Sequence, residues 1–380
     1  MKKIFYGSHT IYKDDILSVS NVLKNKKLTQ GDQVLKFENK LKLKFKSKYC
    51  TSVINGSSGL FSILNLLNLS TKDTVITTSN SFIATANCIE LSGARTQFLD
   101  INENTYNIDL NLIERFIKKK KRKISALISV DYAGHPNDWK DLRWLANKYN
   151  FYLINDCCHS IGSKINNDIG YAVKYADFVS YSFHPVKAIT TGEGGAILTN
   201  EKVFKSKLDL FRNNFMEKDD SNLPWFYKIE KPGFNFRLSD INCALGISQL
   251  NKLNSFITKR RRIAKLYNNF FKNDERFQIP VEKKGYYHSY HLYPLLIDFK
   301  KIRINKKKLF LELKKRNINL QVHYIPIHSQ PYYKRKYKIK KNELFNVENF
   351  YNKEISLPVF PSLSIETAKY VARCIIKLCN

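Results

Sequence analysis

Asp177-Phe178-Val179-Ser180-Tyr181-Ser182-Phe183 runs directly into His184-Pro185-Val186-Lys187, and then into Thr190-Thr191-Gly192-Glu193-Gly194-Gly195. The opening run is apolar and β-rich, and a second such run, Gly195–Thr199, follows the loop. Of the 14 glycines in the chain, three crowd into this one loop. Glycine concentrates where backbone turns sharply or approaches another group closely, so the loop is built around something. A lysine at the end of a buried strand, just ahead of such a loop, is suited to present an amine in a tight pocket. Amines placed that way form Schiff bases with carbonyl compounds. A solvated lysine beside an ordinary turn is the plain alternative.

Working outward, short β-rich runs alternate with helical patterns from about Val53 to Asn200. Strands are predicted at Cys50–Ile54, Thr74–Thr78, Arg95–Leu99, Ile124–Asp131, Phe151–Asn155, Asp177–Phe183 and Gly195–Thr199. Helices are predicted at Ser57–Leu67, Ile83–Ser92 and Asp138–Tyr149. The alternation predicts an α/β domain with a mostly parallel sheet covered on both faces. A long helical pattern runs from Leu238 toward Phe271. Strands near His291–Ile297 and Asn319–His323 and a last helix from Glu366 then predict a smaller C-terminal α+β domain. The division is placed at residues 1–255 and 256–380.

The 380 residues suffice for two domains. Apolar runs fall short of the roughly 18 residues of a membrane span, and the N-terminus lacks the apolar stretch of a signal peptide. Seven cysteines without metal-ligand spacing argue against a disulfide framework or a metal site and for a reducing cytoplasm. The net charge of +31 would suit a nucleic-acid or anionic-membrane binder. The excess is spread along a chain rich in Lys, Asn and Ile, which matches the residue usage of an AT-rich genome. Its one dense cluster, Lys118–Lys123, reads as a solvated loop. No nucleic acid and no membrane insertion are expected.

In parallel α/β sheets, ligands bind at the carboxyl ends of the strands. Asn55-Gly56-Ser57-Ser58-Gly59 follows one strand and opens a helix, where free N–H groups and hydroxyls make an anion cradle; ordinary helix capping is the alternative. Asp156 ends the apolar run Phe151-Tyr152-Leu153-Ile154-Asn155, and a carboxylate there needs a cationic or hydrogen-bonding partner. Phe82, in Asn80-Ser81-Phe82, stands where it stacks on a flat ring or packs in a core. Cys157 and Cys158 read as small packing residues, and His159 as a pocket or core histidine. An anion cradle, a buried carboxylate, a stacking aromatic and a Schiff-base lysine together are what pyridoxal phosphate requires.

These residues carry a resemblance to the DegT/DnrJ/EryC1/StrS family of sugar aminotransferases, from Tyr6 nearly to the C-terminus. It rests on Leu28-Thr29-Gln30-Gly31, Ser81–Asn87, Asp156-Cys157-Cys158-His159, Ser182–Gly195, Phe234–Leu238 and Val322–Pro326. Val130–Gly134, His291–Pro294 and Gln321–Tyr324 look most like the branch that serves pseudaminic acid biosynthesis. The resemblance implies a fold-type-I architecture, a pyridoxal 5'-phosphate cofactor and a homodimer with shared active sites. It implies Lys187 as the cofactor's lysine and catalytic base, with Asp156 on the pyridine nitrogen. Gly56, Ser57, Ser58 and Ser182 would cradle the phosphate, joined by Asn235 from the second subunit. Phe82 would stack on the ring, with His159 close by. Tyr6, Lys26, Lys27, Leu28, Thr29, Gln321, Val322, His323 and Tyr324 would line the sugar-nucleotide site. The substrates implied are glutamate and a UDP-linked 4-keto sugar; a different UDP- or dTDP-keto sugar is the near alternative. Cys157-Cys158 stands where the family usually has Ala-Ala, and Gly59 where it often has alanine. Both exchanges are small for small.

Overall fold

Adjacent residues on each central strand are buried on opposite sides of one sheet, because successive side chains point to opposite faces. Val75, Ile128, Ile154, Phe178 and Ile197 pack into one apolar cluster, and their neighbours Ile76, Leu127, Leu153, Val179 and Leu198 pack into the other. Full burial of each such side chain contributes about 1.5–3 kcal/mol. The strands therefore read as near-continuous apolar runs. The computed structural model describes residues 3–24, 27–119, 124–218, 223–340 and 342–380.

Among the described residues, seven strands form this sheet: β1 (Tyr49–Val53), β2 (Thr74–Thr78), β3 (Arg95–Leu99), β4 (Ile124–Val130), β5 (Tyr152–Asp156), β6 (Phe178–Ser182) and β7 (Gly195–Thr199). Their spatial order is β1-β7-β6-β5-β4-β2-β3. β2 through β6 pair in parallel, while β7 runs antiparallel to both β1 and β6. Helix α1 (Gly56–Leu66) covers one face, burying Leu60, Ile63 and Leu64 there, and α2 (Ala84–Leu91) joins it through Cys88 and Ile89. This is the mostly parallel α/β sheet that the alternating pattern predicts.

The long helical pattern after Leu238 resolves into two helices, α3 (Asp240–Asn251) and α4 (Leu253–Phe271). They divide at Lys252, whose ammonium pairs with Asp14, at 2.5 Å, and Asp15, at 2.9 Å. α4 packs Leu253, Phe256 and Ile257 into the core of the large sheet and Ile263, Ala264, Tyr267 and Phe271 into a second core. A domain division at residue 255 thus falls within a continuous helix. The second core lies on a three-stranded antiparallel sheet of β8 (Phe277–Gln278), β9 (Tyr293–Ile297) and β10 (Glu354–Leu357). The closing helix α5 (Ile365–Cys379) packs there through Ala368, Val371, Ala372 and Ile375.

The predicted strand Asn319–His323 is shorter than expected. Only Ile318–Asn319 is extended, paired in parallel with Ile4–Phe5, and the following residues leave that pairing to approach the large sheet. In the lysine cluster, Lys118 and Lys119 belong to a helix, Leu110–Lys119, rather than to a loop. Residues 120–123 and Lys26 lie outside the described residues. Among the described residues, no helix is long and apolar enough to cross a membrane.

Candidate active site

A cavity of about 360 Å³ opens where β1, β4, β5 and β6 end and where the chain after Ile318–Asn319 reaches over them. Its wall includes Gly56, Ser57, Phe82, Asp156, Ser182 and Lys187. Tyr6, His159, His323 and Tyr324 also line it. Asp156 and Ser182 are the last residues of β5 and β6, so the parallel register of those strands brings them to one edge.

α1 begins at this edge. Asn55 caps it, its Oδ1 accepting the Ser58 N–H at 2.8 Å. The cap leaves the first N–H groups, of Gly56 and Ser57, on the cavity wall at the positive end of the helix. A Cβ on Gly56 would stand 3.0 Å from Cys158 Sγ and from Ser182 Cβ, so the cradle is closed to any larger residue. A Cβ on Gly195 would meet the Asn55 carbonyl at 2.5 Å, which is why glycine opens β7 beneath the cap. The Ser58 hydroxyl is already committed, donating to the Asn55 carbonyl at 2.8 Å, and it does not line the cavity. Its part in an anion cradle therefore passes through the cap.

The Asp156 carboxylate is 5% exposed and accepts from Thr85 Oγ1 at 3.0 Å and from the Cys158 N–H at 3.3 Å. These two contacts leave it acceptor capacity facing the cavity. Lys187 projects from the loop between β6 and β7, and burial holds its amine below the ordinary lysine value. Its Nζ stands 3.5 Å from His291 Nε2. His159 donates or accepts through Nε2 to the Tyr324 hydroxyl at 2.9 Å, while its buried Nδ1 has no partner among the described residues. Burial, then the nearby Lys187 charge, pushes His159 well below the ordinary histidine value, so the ring is neutral. Phe82 is 54% exposed, with its ring 5.8 Å from that of Tyr324.

The remaining expected residues are not brought to this cavity within one chain. Gln321 and Val322 lie on the approach to it, with the Gln321 carbonyl accepting the Ser356 N–H at 2.9 Å. Lys27, Leu28 and Thr29 are exposed, with the Leu28 carbonyl bonded to the Asp240 N–H at the start of α3. Asn235 is exposed and forms a backbone bridge with Asn213. Sequence reasoning missed Thr85, His291, Glu354, Ser356 and Arg260. Thr85 and His291 fall inside quoted motifs, but their contacts, to Asp156 and Lys187, join residues distant along the chain.

The donor set suits pyridoxal phosphate: an anion cradle at a helix N-terminus, a carboxylate with free acceptor capacity, an exposed aromatic face and a buried amine surround one cavity. Among the described residues no group of His, Cys, Asp and Glu has the arrangement of a metal site.

Comparison with known proteins finds relatives over nearly the full chain. The chain is 36% identical over 374 residues to an uncharacterized protein of Methanocaldococcus jannaschii, covering 97% of this chain and 95% of that one. It is 35% identical over 369 residues to the UDP-4-amino-4,6-dideoxy-N-acetyl-beta-L-altrosamine transaminase of Campylobacter jejuni, covering 97% and 95%. Among solved structures, Helicobacter pylori PseC, an aminotransferase involved in the biosynthesis of pseudoaminic acid, superposes with a TM-score of 0.92 at 34% identity, covering 100% and 99%. A family model matches residues 9–376, and the chain belongs to the DegT/DnrJ/EryC1/StrS aminotransferase family.

Proposed function

We propose that this chain is a pyridoxal-phosphate-dependent aminotransferase. In this reading it moves the amino group of glutamate to the 4-keto carbon of a UDP-2-acetamido-2,6-dideoxy-hexos-4-ulose and yields a UDP-4-amino sugar. The observation that carries it is the buried Lys187 amine facing the same cavity as the Asp156 carboxylate. Relatives of this name at about a third identity over nearly the full chain support the sugar.

When bound, the cofactor supplies a carbonyl through which amino groups are exchanged and a ring that accepts electron density. Asp156 would hold the proton on the ring nitrogen, and the Thr85 hydroxyl fixes the carboxylate that would do so. Gly56, Ser57 and Ser182, which line the cavity at the N-terminus of α1, would hold the phosphate, and Phe82 would cover the ring. Lys187 Nζ, kept below its ordinary pKa by burial, would accept the proton lost by the amino acid's α-carbon and hold it for return. The neutral His159 and Tyr324 pair narrows the cavity without adding charge.

The functional unit in this reading is a homodimer. Asn235 lies outside its own chain's cavity, and the exposed Trp225, Tyr227, Ile229 and Phe234 around it offer an apolar surface for a second copy. The test is a panel of UDP- and dTDP-linked 3- and 4-keto sugars with glutamate, with products resolved by mass and NMR. Preferential amination of the UDP-linked 4-keto sugar is expected. A preference for a dTDP-linked or 3-keto sugar would overturn the assigned acceptor.

A further inference from the structure

Three side chains form a line behind the cavity wall that the scheme above leaves unused. Strand alternation turns Glu354 and Ser356 of β10 toward one face, and both are fully buried. The Ser356 hydroxyl donates to Glu354 Oε1 and stands 2.8 Å from His323 Nδ1. The second carboxylate oxygen, Oε2, accepts the His323 backbone N–H at 3.1 Å. From the large domain, the Tyr132 hydroxyl donates to the His323 carbonyl. His323 is thus held by its ring, its N–H and its carbonyl at once.

The proton count along this line has one solution while Glu354 is ionised. A serine hydroxyl has a single proton. With that proton given to Glu354, the Ser356 oxygen accepts from His323, so Nδ1 carries the ring proton and Nε2 is a bare acceptor. The ring is neutral, because burial, then the Lys187 charge, brings its pKa down to about 3. His323 is 6% exposed and lines the cavity, and its Nε2 has no hydrogen-bond partner among the described residues.

We propose that Glu354 and Ser356 are positioning residues that fix the tautomer of His323, so that its Nε2 accepts a hydrogen bond from a hydroxyl or amide N–H of the sugar. The identity of the ligand rests on the function proposed above; the tautomer does not. Free neutral imidazole exchanges between two tautomers, one of which would present an N–H at this point and reject an amide N–H. The small domain thereby dictates the hydrogen-bonding sense of a group on the cavity wall.

The test combines spectroscopy with kinetics, above about pH 7 where Glu354 is ionised. In ¹⁵N-histidine-labelled holoenzyme without substrate, two-bond ¹⁵N–¹H correlations report which ring nitrogen is protonated. The His323 signal is identified by its loss in His323→Gln. The parent should show protonated Nδ1 and bare Nε2, and Ser356→Ala should shift the ring toward the other tautomer. Ser356→Ala should also raise KM for the keto sugar about 3- to 10-fold, the scale of one hydrogen bond, with the rate of the glutamate half-reaction unchanged. Ser356→Thr, which keeps the hydroxyl, should restore both. A parent ring protonated at Nε2 overturns the proposal, as does a shifted tautomer with unchanged KM or an equal loss in both half-reactions. A parent with the expected tautomer that aminates no nucleotide-linked keto sugar overturns the substrate and leaves the relay standing.

Discussion

In the proposed reaction Lys187 takes and returns a proton, which requires part of its population to be unprotonated near neutrality, and burial shifts its amine in that direction. Lys187→Ala should therefore abolish steady-state transamination while circular dichroism stays that of the parent. Turnover by this variant at a rate near the parent's would remove Lys187 from the mechanism. Asp156→Asn keeps the shape and the Thr85 contact but no longer holds a proton on the ring nitrogen. Its kcat should fall on the order of 10²-fold or more. A loss of only a few-fold would make Asp156 a structural carboxylate. Both residues were legible from their place at the sheet's carboxyl edge: Asp156 ends an apolar run, and Lys187 stands in the loop that follows another. Glu354, Ser356 and His291 were not, since only the folded chain brings them to His323 and Lys187. Ser58 shows the opposite failure: a hydroxyl at the right place in a motif, already used by the helix cap.

At the scale of elements, strand positions at Thr74–Thr78, Arg95–Leu99 and Gly195–Thr199 were readable to the residue from β-rich runs bounded by turns. The break at Lys252 was not, because the helical periodicity runs through it without a glycine or proline to mark an end. On α4, Arg260 is fully buried, has no carboxylate partner among the described residues and donates to the carbonyls of Val186, Lys187, Tyr290, His291 and Val359. Desolvation alone brings its pKa down to about 10. Arg260→Met should lower stability on the order of 3 kcal/mol, because several buried carbonyls lose their donor together. Urea denaturation reads this, and a loss below about 1 kcal/mol would mean the carbonyls find other partners. β10 carries a pH dependence. Burial raises the Glu354 carboxyl from 4.5 to about 7, with Lys306 opposing in part. A raised folded value means the fold holds a proton that the unfolded chain has lost, so this contribution is full below about pH 4.5 and is lost as pH rises through about 7. Glu354→Gln should flatten stability over that window, measured by denaturation at a series of pH values. An unchanged slope would assign the dependence to other groups.

For the whole molecule, the net charge was the loudest compositional feature and said least about the site, whose wall carries a carboxylate, Asp156, beside a single lysine, Lys187. Assembly yields a sharper prediction. If Asn235 completes the other subunit's cradle, mixing Lys187→Ala with a bulky Asn235 variant gives mixed dimers with one intact site. Activity should return toward about a quarter of the parent's after subunit exchange, since random pairing makes half the dimers mixed and each carries one good site of two. Verified exchange without recovered activity, from an Asn235 variant that still sediments as a dimer, would confine Asn235 to its own chain.

Arg260 also has a mechanical meaning. Its guanidinium grips the lysine loop on one side and the strands' approach to the second core, at Tyr290, His291 and Val359, on the other. A hinge motion that parted these segments would strip a buried cation of its solvation. The molecule is welded at the point where a closing enzyme would otherwise flex. Phe82, exposed on the cavity wall, takes no part in this grip. The loop that carries Lys187 is thereby tied to the second core through one buried cation.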